Sequence, residues 1–282
     1  MILKDLLDPK NDAVFKLFFS RAKNKSLLIS FLESVLNPIF SIIDIEILNS
    51  EMPLESIDEK MSILDLVVTL SNKTQIDIEM QMAPTSNFKK RLLYYWAKLH
   101  SSQLKSGEDY QNLAPTYTIA ILNYNEFKNT SKPHSIYELS ERDSRELYLP
   151  DIKFHFLELK KLPDWTNKPN HSYNVLEYWM HFFASGKDIS EDLSMSNETM
   201  KKAVDALKEL SEDKEARSIA LMREKARING MLIRQGDLEE GEKIGRQKVI
   251  SKMMAKGMSA QDIAELLDLS IEEVTEINTN ED

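Results

Sequence analysis

The residues best placed to do chemistry lie on the stretch 74–82, TQIDIEMQM. Strict alternation over these positions predicts a strand. Gln75, Asp77, Glu79 and Gln81 fall on one face and Ile76, Ile78, Met80 and Met82 on the other. A second strand is predicted just before it, at 62–70, with Ser71, Asn72 and Lys73 as the hairpin connection. Asp65 and Glu79 are equidistant from Asn72, so a symmetric turn sets the two carboxylates opposite each other. Like charges facing across a sheet repel by a few tenths to about 1 kcal/mol. Asp65 also interrupts an apolar run (Ile63, Leu64, Leu66, Val67, Val68), which draws it toward the core. Two carboxylates together at a partly buried place need a counter-charge, either a proton or a divalent cation. Mg²⁺ takes one or two carboxylates and keeps several waters, and it can polarise a phosphate and activate water. Gln81, on the face of Glu79, could orient such a water. A register shifted by one residue would instead turn the carboxylates toward solvent.

The elements that must hold this pair are readable in outline. Residues 11–36 carry Val14, Phe15, Phe18, Leu27, Leu28, Phe31, Leu32 and Val35 at helical spacing, with Asp12 capping or opening the helix and Asn37-Pro38 ending it. Further strands are expected at 42–49, at 116–124 (largely apolar and so central) and at 151–160, with a helix over 87–105 between the third and fourth. Helices follow at about 171–185, 197–211 and 212–229. Strands first joined by a hairpin and then by a helical crossover predict an α/β fold, a mixed sheet flanked by helices with an all-helical C-terminal extension. The expected division is a core over 1–170, a helical extension over 171–229 packed on it, and a C-terminal arm over 230–282. The polar segment 125–150 reads as an excursion beside the site.

The chain has 282 residues, a formal net charge of −10 and no cysteine. Disulfides, thiolate metal sites and a cysteine nucleophile are therefore excluded. The acidic balance argues against indiscriminate phosphate binding, though not against a local basic patch. The N-terminal residues are charged and do not form a signal peptide, and the apolar runs fall short of the roughly 20 residues needed to span a bilayer. The expected compartment is the cytoplasm, with no membrane partner. The histidines His100, His134, His155, His171 and His181 lack HxxxH or HExxH spacing, so no zinc site is expected. His155 reads as a strand-surface residue and His134 as loop.

Asp65, then thirteen residues, then Glu79-Met80-Gln81 resembles the PD-(D/E)XK nuclease signature, with Leu64 where the motif has proline and Gln81 where it usually has lysine. The blocks NDAVFKLFF (Asn11 to Phe19), SILDLVV, IDIEMQ and FKKRLLYYWAKLHSSQL are together similar to the Rpn family of recombination-promoting nucleases and transposases. The resemblance implies a restriction-endonuclease-like core and a Mg²⁺-dependent DNA endonuclease, with Mn²⁺ as a substitute metal. Asp65 and Glu79 would be metal ligands, the Met80 carbonyl a third, and Gln81 the lysine replacement, with Asp12 and Lys16 approaching from the first helix. A lost lysine charge costs rate unless another cation compensates. The nearest in sequence are Lys89, Lys90, Arg91 and Lys98 on the next helix, which with Lys16 are the expected DNA contacts. A solvated helix face is the alternative for these cations. The functional alternative is a non-catalytic DNA-binding accessory of recombination, or a protein-interaction module.

The last segment, Lys256 to Ile277, has a helix-turn-helix pattern with Ser259 and Ser270 as caps. Glu272, Glu273 and Glu276 on its second helix would repel phosphates, so a protein-interaction or oligomerisation role, or a vestigial module, is expected rather than groove reading. The stretch 223–256 reads as a flexible or weakly helical arm.

Overall fold

The computed structural model describes residues 5–39, 41–48, 65–163 and 173–278. Among these, a six-stranded mixed sheet in the order β1-β2-β3-β4-β6-β5 organises the first part. Its strands are β1 (Ile45–Leu48), β2 (Leu66–Leu70), β3 (Gln75–Gln81), β4 (Thr116–Leu122), β5 (His134–Ser140) and β6 (Leu147–Glu158). The β1–β2 and β2–β3 pairs are antiparallel, β3–β4 and β4–β6 are parallel, and β5 closes the far edge antiparallel to β6. The β2–β3 hairpin turns on Lys73, whose φ of 69° is left-handed. Its amide donates to the Leu70 carbonyl at 2.8 Å, and Asn72 Oδ1 accepts the Thr74 amide at 3.1 Å. The expected positions 62–64, including Leu64, lie outside the described residues.

Helix α3 (Phe88–Ser101) is the crossover between parallel β3 and β4 and lies on one face of the sheet. Phe88 and Leu92 pack there with Ala120, Leu122 and Phe156. The other face carries the main core, built by α1 (Asp12–Ser20), α2 (Lys25–Leu36), α4 (Val175–Ser185), α5 (Glu191–Met195) and α6 (Glu198–Glu212).

Five expectations need correction. The helix foreseen over 11–36 is two helices. Arg21 is extended, and the buried Asn24 side chain donates to the Phe18 carbonyl at 2.7 Å, satisfying an acceptor that the broken helix leaves open. The bend lets Phe19 of α1 reach Phe31 of α2, ring centroids 5.9 Å apart. The excursion foreseen over 125–150 contains edge strand β5, separated from β3 by β4 and β6. His134 opens β5 rather than lying in a loop, and His155 is buried beneath it, with Nδ1 3.0 Å from His134 Nε2. Burial, the neighbouring imidazole and Lys153 drive the His155 pKa down to about 3, so it is neutral. The arm foreseen as weakly helical belongs to one helix, α7 (Lys214–Ala255). Its interior glycines, at about 1 kcal/mol each relative to alanine, are outweighed by surrounding Glu, Lys, Arg, Leu and Met.

Contacts divide the chain into Met1–Arg223 and Glu224–Asp282. In the second unit, α8 (Ala260–Leu267) and α9 (Ile271–Asn278) bury Ile263, Ala264 and Val274 with Ile250. Ser259 with Asp262, and Ser270 with Glu273, cap the two helices reciprocally, as the pattern predicts. Among the described residues no helix is long and apolar enough to cross a membrane.

Candidate active site

The ladder pairs Leu66 with Ile78 and Val67 with Asp77. One more step in the same register sets Asp65 against Glu79, as the symmetric turn requires. The pair is tied reciprocally through the backbone. The Asp65 amide donates to Glu79 Oε1 at 3.3 Å, and the Met80 amide donates to Asp65 Oδ2 at 2.8 Å. Within a strand the N–H and C=O of one residue point to the same edge, so the Met80 carbonyl also lies on the Asp65 side. It receives Gln81 Nε2 at 3.5 Å. Asp65 Oδ1 and Glu79 Oε2 stand outside the two reciprocal bonds.

Glu79 is 4% exposed. Two residues earlier on the same face Asp77 is fully buried, and neither of its oxygens has a hydrogen-bond partner among the described residues. Its ladder neighbours are Val67 and Thr118, and neither bonds it. Burial pushes the Asp65 carboxyl up to about 6; the Met80 amide, Arg91 and Arg223 oppose the rise, and the Asp12 charge adds to it. Burial, then the charges of Asp77 and Asp65, hold Glu79 well above the usual carboxylate range. Asp77 is raised by burial and then by Asp65. Asp65 thus makes ionisation of both Asp77 and Glu79 harder, and Asp77 does the same to Glu79, as like charges do when brought together at a buried place.

Among the described residues no three His, Asp or Glu side chains converge on one point. The donors at hand are two carboxylates and the Met80 carbonyl, all oxygen. That set fits Mg²⁺ or Mn²⁺, which need few protein ligands when water completes the shell.

The other expected residues are placed as follows. Asp12 opens α1 but does not cap it; Asn11 does, accepting the Ala13 and Val14 amides. Asp12 Oδ2 is 3.6 Å from Arg223 Nε, and the Asp12 charge reaches Asp65. Lys16 lies one turn along α1 from Asp12 and is half-buried. Lys89 is drawn aside by Glu126 at 2.9 Å and lies over the Phe127 ring, and Lys90 is exposed. Arg91 turns inward, and its Nη2 donates to Gln81 Oε1 at 2.9 Å. Lys98 lies seven residues beyond Arg91 and so on the same side of α3. Tyr95, between them, has its phenol raised by burial and by the three carboxylates against the pull of Arg91, which places it in the same field.

The sequence sets Asp77 on the polar face without giving it a part. Flanking strands cover the edges of β3, and alternation alone does not say which of its faces the helix over 87–105 covers.

A family model described as PD-(D/E)XK nuclease family transposase matches residues 9–234. No curated protein and no solved structure matches the chain.

Proposed function

Because the chain belongs to the PD-(D/E)XK nuclease family transposases, we propose that it is a divalent-metal-dependent DNA endonuclease of recombination or mobile elements. The observation that carries this reading is the reciprocal backbone tie between Asp65 and Glu79, which keeps the half-buried Asp65 beside the buried Glu79 at a cost that packing alone does not explain. Asp65, Glu79 and the Met80 carbonyl would hold the ion. Bound Mg²⁺ or Mn²⁺ supplies a Lewis acid for the phosphate and acidifies water. The chain's own residues do the rest. Asp65 and Glu79 must both shed their protons to act, so cleavage should fall as pH drops through about 6. The Gln81 carboxamide offers a donor beside the pair to orient the attacking water. Water attacks phosphorus in line, one P–O bond forms as the opposite one breaks, and the products are one phosphate and one hydroxyl end. Asp12 contributes through the field at Asp65, and Lys16, Lys90 and Lys98 are the proposed contacts to DNA phosphates. The proposed compartment is the cytoplasm, in keeping with a DNA substrate.

Supercoiled plasmid with Mg²⁺ or Mn²⁺ tests this. Wild type should nick or linearise it, and Asp65→Asn and Glu79→Gln should not. Equal cutting by all three removes the site assignment. The accessory reading is favoured by one observation, Gln81 in the lysine position, and it wins if wild type binds DNA yet leaves it intact in either metal.

We also propose self-association through α7. Ile228, Met231, Leu238 and Val249 are exposed and fall on one heptad seam. Light scattering should show a dimer that Met231→Glu with Leu238→Glu converts to monomer; a wild-type monomer at high concentration refutes it.

A further inference from the structure

We propose that Arg91, acting through the Gln81 carboxamide, supplies the positive charge that the nuclease motif usually carries in its lysine. The inference rests on the nuclease reading and deepens it. An arginine has only donors, so the group that Arg91 Nη2 meets at 2.9 Å must be the Gln81 oxygen. That contact fixes the amide: Oε1 faces the guanidinium, and Nε2 faces the Met80 carbonyl at 3.5 Å, on the edge where Asp65 stands. Gln81 thus turns its N–H edge to the Met80 carbonyl, the third proposed ligand, with the Arg91 charge on its oxygen side. Hydrogen bonding to a charged donor polarises the amide and strengthens its own N–H.

The guanidinium is held in place from its own helix. Phe88, three residues earlier, is buried against the sheet, and its ring lies 5.7 Å from the Arg91 guanidinium carbon. Arg91 Nε is buried and has no partner among the described residues, so the side chain spends only part of its donor capacity on them. The neighbouring lysines are directed elsewhere, Lys89 onto Glu126 and Lys90 into solvent. A strand lysine has in effect been replaced by a helix arginine and a strand glutamine. Arg91 is a positioning residue in this arrangement, and Gln81 is the group that meets the reacting water.

The test uses Arg91→Ala, Gln81→Lys and the double variant, with two readouts. In plasmid cleavage, Arg91→Ala should lose about 10²-fold, comparable to removing one preorganised donor. The double variant should recover most of that loss, because the introduced lysine restores the charge at the motif position. In calorimetry with Mn²⁺ alone, Arg91→Ala should tighten binding about five- to tenfold, since a cation beside the carboxylates has been removed. Gln81→Lys added to Arg91→Ala should reverse that gain. DNA affinity of each variant in an Asp65→Asn background should stay within about twofold of its parent, which separates the role from a phosphate contact. Unchanged Mn²⁺ affinity in Arg91→Ala, or a double variant as slow as Arg91→Ala, overturns the inference. If wild type takes up Mn²⁺ but cuts nothing, the nuclease reading fails by itself, and the Mn²⁺ shift still decides whether Arg91 supplies the charge.

Discussion

The two faces of the sheet come from the same strands and are equally hidden from water, yet they are chemically opposite. On β3, Ile76, Ile78 and Met80 face one side, and Asp77 and Glu79 face the other; all five are buried. The first face meets an aromatic cluster in which Phe31 lies 5.8 Å from Trp179 and 5.5 Å from Phe183 between ring centroids. The second meets α3, whose apolar contacts form two small patches around Phe88 and around Leu99, flanking the acids. The second face also contains its own control. Glu158, at the end of β6, is as buried as Asp77 but accepts the Glu126 amide at 2.7 Å, the Phe127 amide at 3.0 Å and Lys161 Nζ at 2.5 Å. Glu158 is a structural carboxylate with its bonds made. Asp77 is a carboxylate with neither oxygen bonded among the described residues, while Asp65 and Glu79 each accept one backbone amide. One face stabilises the fold, and the other spends part of that stability holding charge where water cannot reach it.

The sharpest way to break this comparison is to truncate one residue on each face. Phe31→Ala should cost about 3–5 kcal/mol, read as a lower urea midpoint with unchanged slope. Asp65→Asn should leave stability equal or higher, because it removes a buried charge, while lowering cleavage about 10²–10³-fold. If Asp65→Asn unfolds the protein as Phe31→Ala does, the acids are structural and the two faces do not divide the work.

How far the sequence reveals each face follows from the same division. The hairpin register at Asn72, and with it the Asp65–Glu79 pair, is readable because alternation and a three-residue turn leave little freedom. The central place of β4 is readable from its largely apolar run. The split between α1 and α2 is hidden because Val14, Phe15 and Phe18 before it and Leu28, Phe31, Leu32 and Val35 after it each keep helical spacing, and only the Asn24 side chain marks the break. Strand β5 is hidden because an edge strand half open to solvent looks like polar loop. Asp77 is visible but unassigned: alternation gives a face, but not what covers it. Arg91 stands among four basic residues of equal standing until geometry turns it toward Gln81.

A smaller effect follows from protonation, and it belongs to the polar face alone. Asp65, Asp77 and Glu79 all have folded-state values above their unfolded ones, so the native state keeps protons that the unfolded chain has released. Stability therefore falls as pH rises through that window. For Asp65, moved from 3.8 to about 6, the loss amounts to up to about 3 kcal/mol. It is absent below the unfolded value and complete above about 6. Urea midpoints should begin to drop above about pH 4 and go on dropping beyond about 6, because Asp77 and Glu79 are held well above their usual values. The drop should be shallower in Asp65→Asn, and Mn²⁺ added at neutral pH should recover part of it. Phe31→Ala should lower the whole curve without changing its shape. A wild-type curve that rises over this range would mean that the acids already have partners in the fold.

The smallest expected effect is the most diagnostic of the polar face itself. Thr118 on β4 lies beside Asp77 in the ladder, fully buried, and its hydroxyl has no partner among the described residues. An unpaired buried hydroxyl costs about 1–3 kcal/mol. Thr118→Val keeps the β-branched shape and removes that group, so it should stabilise the protein by about 1 kcal/mol at neutral pH. The same exchange at a hydroxyl that is bonded, Thr116, which meets His100 Nδ1 at 2.9 Å and Gln103 Nε2 at 2.8 Å, should destabilise instead. Opposite signs at two threonines two residues apart on one strand would show that the polar face is uneven, satisfied at its α3 C-terminal end and left open beside the acids. If Thr118→Val destabilises as much as Thr116→Val, the Thr118 hydroxyl is engaged in solution, with a protonated Asp77 as the nearest group able to accept or donate. The polar layer would then be a closed structural network rather than a site awaiting a ligand.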